Sequence, residues 1–544
     1  MMRAAFIFAA LLVLGFPGLA DEGHHPEDLT SAQLGTVHFP VSCSPAAQKA
    51  FERGVALLHS FWYEEAEKTF QQVAKDDPRC AMAHWGIAMS LWHQLWDQPN
   101  LATLKRGSAE LKEAKSLGSK DGREQGYIGA LGAFYERLQQ KHKVRAAAYS
   151  QRMERLYQKY PEDHEAGIFY ALSLLAAEPE KDTAYANRKK AAAVLEKLFA
   201  GEPNHPGVAH YLIHSYDKPE MAKLGLPAAR RYAKIAPVAP HAVHMPSHIF
   251  ARLGLWQEDI ASNLASIAAT QRGEKMHRDG GGHQFHAMDF LVYAYLQSGR
   301  EAEVQHLIEE VKALPAMKDM YEGDSDPRFL NLGFFEASYA LELHHWAEAA
   351  ALPLVPGNRD DDHAATHRAR AIGAARSGNV GEAHKALARL VAIHADAVQR
   401  KLSSAEGLDD KRREAEAWVD HAEGNNETAL NLLREVADGE NGVLEASEGI
   451  PAREMLADLL LEMGRSEAAL TEYQADLEQN PQRFDALYGA AQAAELSGKG
   501  DKANLYYAQL VQACNGSNSN RPELGQARAQ LARKGSEIGS ASQK

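Results

Sequence analysis

Three short runs in the middle of a 544-residue chain carry histidine at helical spacing. His210 and His214 are four apart with Asp217 three further on, His244 and His248 are again four apart, and His283, His286 and Asp289 follow at intervals of three. Residues three or four apart share one face of a helix, so each run presents a histidine stripe. Neutral imidazoles beside a carboxylate are the donors that zinc, copper, nickel or ferrous iron prefer, and the carboxylate can bind the ion or orient a histidine. The candidate metal ligands are therefore His210, His214, Asp217, His244, His248, His283 and His286. Three protein ligands with one open position would support metal-assisted hydrolysis or oxidation. Nine of the 25 histidines lie between 205 and 286; His205 and His241 precede two of the runs and His277 falls between them. A plainer role stands beside this one: histidine at a helix contact can hydrogen-bond a carbonyl or a tyrosine, and Tyr211, Tyr216, Tyr293 and Tyr295 lie on the same segments. No HExxH, CxxC, CxxCH, Walker or GxSxG string occurs, which argues against the common zinc hydrolase, haem, nucleotide and serine-hydrolase classes.

A second group is aromatic: Phe61, Trp62 and Tyr63, then Trp85, Trp92, His93 and Trp96. Trp85 and Trp92, seven apart, read as a helix stripe in the core, whereas Trp96 beside a proline-containing loop is the better contact for a partner. With Tyr211, Tyr216 and Tyr293 it makes up the candidate partner-binding set.

The elements that position these residues repeat. Ala66, Phe70 and Pro78, with Gly54 twelve residues before Ala66, have the offsets of the second half of a tetratricopeptide repeat. Ala469 and Ala503, and Tyr473 and Tyr507, are each 34 apart, which is the repeat length itself. Between these ends a glycine turn keeps returning, as in RLGLWQEDI at 252–260 and EMGRSEAAL at 462–470, where glycine suits the left-handed end of a helix. Arg252 to Trp256 thus reads as a handover between helices. The expected fold is all-α: a right-handed superhelical solenoid of about twelve helix pairs, with a capping helix from Pro522 to Lys534. Breaks are expected at 97–100, 178–182, 272–282, 316–326 and 353–362, the glycine triplet at 280–282 being the most permissive.

The blocks CAMAHWGIAMSLW, HYLIHSYDKPEMAKLGLPAARRYAKIAPVAPHAVHMPSHIFARLGLW and HAMDFLVYAYLQSG, behind VHFPVSCS and FERGVALLHSFWYEEAEKTF, resemble a group of secreted bacterial tetratricopeptide-repeat proteins without an assigned activity. The resemblance spans nearly the whole chain and implies a fold and a compartment but no reaction.

Residues 1–20 read as a signal peptide: a positive start, an apolar run of about eleven residues and a small-x-small ending, with cleavage before Asp21. The mature chain is expected in the periplasm or secreted, without a membrane span. Its formal charge of -14 would repel nucleic acid and anionic membrane surfaces. Of three cysteines, Cys43 and Cys80 could staple the first repeats, leaving Cys514 as a small buried residue. His24 and His25, just after the cleavage point, read as a solvated tail that could pick up metal nonspecifically. The expected organisation is an N-terminal extension at 21–44, partly disordered, N-terminal repeats at 45–200, histidine-rich repeats at 201–315, C-terminal repeats and cap at 316–535, and a disordered tail at 536–544.

Two functions remain open. One is a periplasmic scaffold, not an enzyme, that holds a peptide or partner protein in its concave groove. The other is a metal-binding protein, or a metal-dependent hydrolase or oxidoreductase, that uses a divalent transition metal (zinc, copper or iron) at the histidines of residues 205–289.

Overall fold

A computed structural model describes residues 29–95, 98–179, 182–276, 282–317, 326–355, 361–440 and 449–541. The expected signal peptide, His24, His25, Trp96, His277 and two of the three glycines at 280–282 lie outside the described residues. The fold is an all-α helical repeat, with no strand among the described residues. From Pro45–His59 and Tyr63–Asp76 to Phe484–Leu496 and Gly500–Ala513, twelve helix pairs follow one another. The closing helix, Pro522–Ala541, buries Leu524 and Ala527 against the last pair and continues past residue 536, where a tail was expected.

The repeat pattern has a packing cause. A Cβ placed on Gly86 would lie 2.4 Å from the Phe70 ring, and one on Gly489 would lie 2.3 Å from the Tyr473 ring. In both places an aromatic residue on the second helix of one pair presses into the backbone of the next pair's first helix, sixteen residues on. Only glycine permits that approach without a shift. The handover at Arg252–Trp256 is likewise built on Gly254, whose φ of +66° is the left-handed helix end; the next helix starts at Trp256.

Residues 29–44 differ from the partly disordered extension expected there. Leu29, Leu34, Val37 and Phe39 are buried, because this segment crosses the inner ends of the first repeats as a strap. Phe39 meets one aromatic ring from each of four successive first helices: Phe51 at 5.3 Å, Trp85 at 5.7 Å, Tyr127 at 4.8 Å and Phe169 at 6.5 Å between centroids. Thr36 N donates to Asn204 O at 2.9 Å. A Cys43–Cys80 disulfide ties the end of the strap to the start of Ala81–Ser90.

The C-terminal repeats fold back onto the middle of the chain. Trp256 Nε1 donates to Gln482 O at 3.2 Å, and Phe484 N donates to Gln297 Oε1 at 2.9 Å. Arg483, fully buried, reaches both Glu454 and Glu342 at 2.8–2.9 Å. Among the described residues no helix is long and apolar enough to cross a membrane.

A candidate metal centre in the histidine-rich repeats

The histidines stand on the first helices of three successive pairs: Pro206–Tyr216, the broken helix Pro240–His244 and Pro246–Arg252, and His283–Gln297. Pro246 has no N–H and divides the middle helix, yet both pieces keep right-handed helical backbone through Met245. His244 and His248 therefore stay on one face, with their Nε2 atoms 3.0 Å apart.

The six rings sort into two triads. In the first, His210 Nε2 lies 3.1 Å from both His241 Nε2 and His214 Nε2. In the second, His244 and His248 are joined by His286, and in each triad one nitrogen per residue lies within 4.8 Å of the others. The triads adjoin: ring centroids of His241 and His244 are 5.9 Å apart, and those of His214 and His248 are 6.1 Å apart.

Hydrogen bonds on the far side of the rings decide which nitrogen faces the triads. His210 Nδ1 donates to the His59 carbonyl at 2.6 Å, and His248 Nδ1 donates to Asp217 Oδ2 at 2.8 Å. Asn263 gives its amide N–H groups to Asp259 O and Oδ1, so its Oδ1 faces His244 Nδ1 at 2.6 Å and accepts from it. All three histidines thus carry their proton on Nδ1 and turn an Nε2 lone pair toward the triads. At a metal–imidazole length of about 2.0–2.1 Å, two nitrogens on one ion sit roughly 2.8–3.4 Å apart for bond angles between about 90° and 110°. The three close pairs, 3.0–3.1 Å apart, fall inside that range, and the remaining ligand nitrogens of each triad lie within 4.8 Å. Two lone pairs 3.0 Å apart repel each other, and a proton between them satisfies two nitrogens at most. A metal ion satisfies three.

Burial lowers the basicity of five of the six ligands. It pushes the His210 and His286 imidazoles down to about 3, and those of His214, His241 and His244 well below their ordinary value. Burial alone would raise the Asp217 carboxyl, but the Arg252 charge and the contact with His248 outweigh it and hold it well below the usual carboxylate range. Asp217 also accepts from Arg252 Nε at 3.0 Å. It is an orienting carboxylate behind His248 and stands outside both sets of converging nitrogens.

Apolar rings wall the centre. Phe290 lies 4.6 Å from His248 and 5.0 Å from His244, and Phe61 lies 4.3 Å from His210 and 5.3 Å from His241. Phe61 is fully buried at a φ of +51°, a strained backbone for a non-glycine residue, and its ring lies against three of the triad histidines. His283 is outside both triads, 5.9 Å from His241 between ring centroids, and its buried Nε2 has no hydrogen-bond partner.

A third cluster has a different character. His59 Nε2 and His205 Nε2 both contact Glu165, at 2.9 and 2.8 Å, and His59 Nδ1 contacts the Tyr211 hydroxyl at 2.9 Å. Burial would raise the Glu165 carboxyl, but His59 and His205 outweigh it and hold it at about 2. These atoms are paired with one another, and the cluster supports the His59 carbonyl on which His210 rests.

Residues 63–94 and 454–518 match the tetratricopeptide repeat family. Both ends of the helical array thus carry tetratricopeptide repeats. No curated protein matches it in sequence. Among solved structures, a human IFIT1 dimer with m7Gppp-AAAA is 14% identical over 80% of this chain and 90% of its own, with a TM-score of 0.36. The P58(IPK) TPR domain is 13% identical over 90% of this chain and 99% of its own, with a TM-score of 0.19. Likeness of that degree says nothing about ligands.

Tetratricopeptide-repeat architecture is suited to binding proteins or peptides, but the tyrosines singled out for that role are interior. Tyr211, Tyr216 and Tyr293 are buried; Tyr211 meets His59, Tyr216 donates to Glu196, and the Arg483 guanidinium lies over the Tyr293 ring. Trp85 and Trp92 are fully buried, as a core stripe requires. Sequence spacing did not reveal how the ligands group, because His241 replaces Asp217 as partner of His210 and His214. It also missed Phe61, His59 and Asn263. The one available signal was the polar stripe Asp259, Asn263, Ser266 and Thr270, all buried on the helix behind His244.

Proposed function

We propose that this is a metal-binding tetratricopeptide-repeat protein of the periplasm, with transition-metal ions held by His210, His214 and His241 and by His244, His248 and His286. The observation that carries this reading is the engagement of His244 Nδ1 by Asn263 and of His248 Nδ1 by Asp217, which leaves the two Nε2 atoms facing each other at 3.0 Å. The Cys43–Cys80 bond supports an oxidising compartment. The test is elemental analysis of untagged protein, purified without chelator, beside a His244→Ala/His248→Ala variant. Near-stoichiometric metal that falls in the variant supports the site. No metal in either, even after incubation with zinc and copper and desalting, removes it.

A second reading keeps the repeats as a scaffold for a peptide or partner protein on their inner face. One observation favours it: that face already takes an extended segment, the strap around Phe39. A chain lacking residues 1–42 should then bind a synthetic peptide of residues 29–42 saturably, and failure to bind it while folded counts against a peptide groove.

A further inference from the structure

The charge around the triads narrows what they hold. Six imidazoles supply no negative charge, and the carboxylate hydrogen-bonded to His248, Asp217, already carries Arg252. Asp259 is set back behind Asn263, and burial pushes its carboxyl above the usual carboxylate range. Two divalent ions would place four positive charges in this interior beside an Asp217 carboxylate that is already shared with Arg252. The Born cost grows with the square of the charge, so each divalent ion costs about four times as much as a monovalent one. Copper is the imidazole-binding transition metal with a stable monovalent state, and three nitrogens complete a trigonal shell for it.

We infer that the two triads form one centre that holds a pair of cuprous ions and takes up dioxygen between them. Each cuprous ion gives one electron; dioxygen becomes peroxide bound to both, with its O–O bond retained and no proton moved, so that 2 Cu(I) + O2 gives 2 Cu(II) + O2(2−). The centre carries two positive charges before and after, so oxidation adds no net charge to the buried site. Loss of the same two electrons to an outside acceptor would leave four. The triads adjoin, with cross-triad centroids 5.9 and 6.1 Å apart. Each also has one partly exposed member, His214 and His286, while the other four are buried, which gives a small molecule an edge to enter by.

The inference rests on metal loading of both triads, and the experiment separates the two claims. Untagged full-length protein is loaded anaerobically with Cu(I), freed of excess, assayed for copper and then given a measured amount of oxygen. Two coppers per chain and one dioxygen consumed for every two coppers are expected. His214→Gln and His286→Gln, at the exposed edges where packing is least disturbed, should each keep one copper and lose uptake by roughly tenfold or more. Helical circular dichroism reports whether they fold, and a His283→Gln variant, outside both triads, should keep the wild-type stoichiometry. Failure to bind copper overturns the metal-binding reading itself. One copper per chain, two coppers without oxygen uptake, or half the uptake in each single-triad variant overturns the paired centre alone.

Discussion

Asp217 offers the sharpest test of how the second triad is assembled. Its two oxygens are committed, Oδ2 to His248 Nδ1 at 2.8 Å and Oδ1 to Arg252 Nε at 3.0 Å. Asp217→Asn keeps the shape and removes the charge, but its single carbonyl oxygen can serve only one of the two donors. If that oxygen stays on His248, the imidazole loses the anion that raises its basicity. If it turns to Arg252, the amide N–H faces His248 Nδ1 and drives the ring proton to Nε2, which blocks the ligand atom. Either outcome should weaken one metal equivalent by about 10–100-fold, or about 1.4–2.7 kcal/mol, while the first triad holds within a few-fold. Loss of the Asp217 charge beside buried Arg252 destabilises the fold by about 3–5 kcal/mol. The Asp217→Asn/Arg252→Met double variant separates that cost from metal binding. The assay is competition for copper against a chromophoric chelator at two equivalents, with circular dichroism for folding. Equal weakening of both equivalents, or none in a folded variant, would refute the assignment of Asp217 to His248 and its triad.

Three further outcomes test the scaffold. Cys43→Ser opens a link spanning 37 residues and should lower unfolding free energy by about 4 kcal/mol by loop entropy, read from denaturant midpoints under oxidising conditions. Phe39→Ala should cost about 3–5 kcal/mol, because four rings close on that side chain; a loss under 1 kcal/mol would mean the strap is peripheral. At Asp476, burial and the neighbouring Glu454 charge outweigh Arg483 and raise the carboxyl to about 7, above its unfolded value of about 4. The folded state therefore binds the extra proton between those values, and the wild type loses stability as pH rises through that window. The melting temperature of Asp476→Asn relative to wild type should climb from pH 4 to pH 7 and then level off; a flat difference contradicts the assignment.

The fold was legible because its rule is local. Phe70 with Gly86 and Tyr473 with Gly489 repeat one contact at one offset, and small residues must stand where large rings approach backbone. The histidine stripes were legible for the same reason, since spacings of three and four fix a helix face. What the spacings could not carry is register between helices. The grouping of His241 with His210 and His214 depends on how three helices settle side by side and on the break at Pro246. The strap is harder still: residues 29–44 have no helical period, and only the ring of aromatics around Phe39 explains their burial. Arg483 and Glu342, 141 residues apart, look in the sequence like ordinary surface charges.

Two buried polar networks among the described residues contrast, and their difference is the strongest argument that one of them is a site. Around Arg483 the donors and acceptors are complementary: Nε and Nη2 meet both oxygens of Glu454, Nη2 also meets Glu342, and the second oxygen of Glu342 accepts from Gln297. Such a network closes on itself and holds the C-terminal repeats against the middle of the chain. At the histidine triads like meets like, Nε2 against Nε2, with the protons that could have relieved the contact drawn away by the His59 carbonyl, Asn263 and Asp217. A core selected for stability alone would have no reason to keep that arrangement, because apolar residues of the same volume would pack there without opposing lone pairs. A ligand that accepts electron pairs from several nitrogens at once supplies the reason.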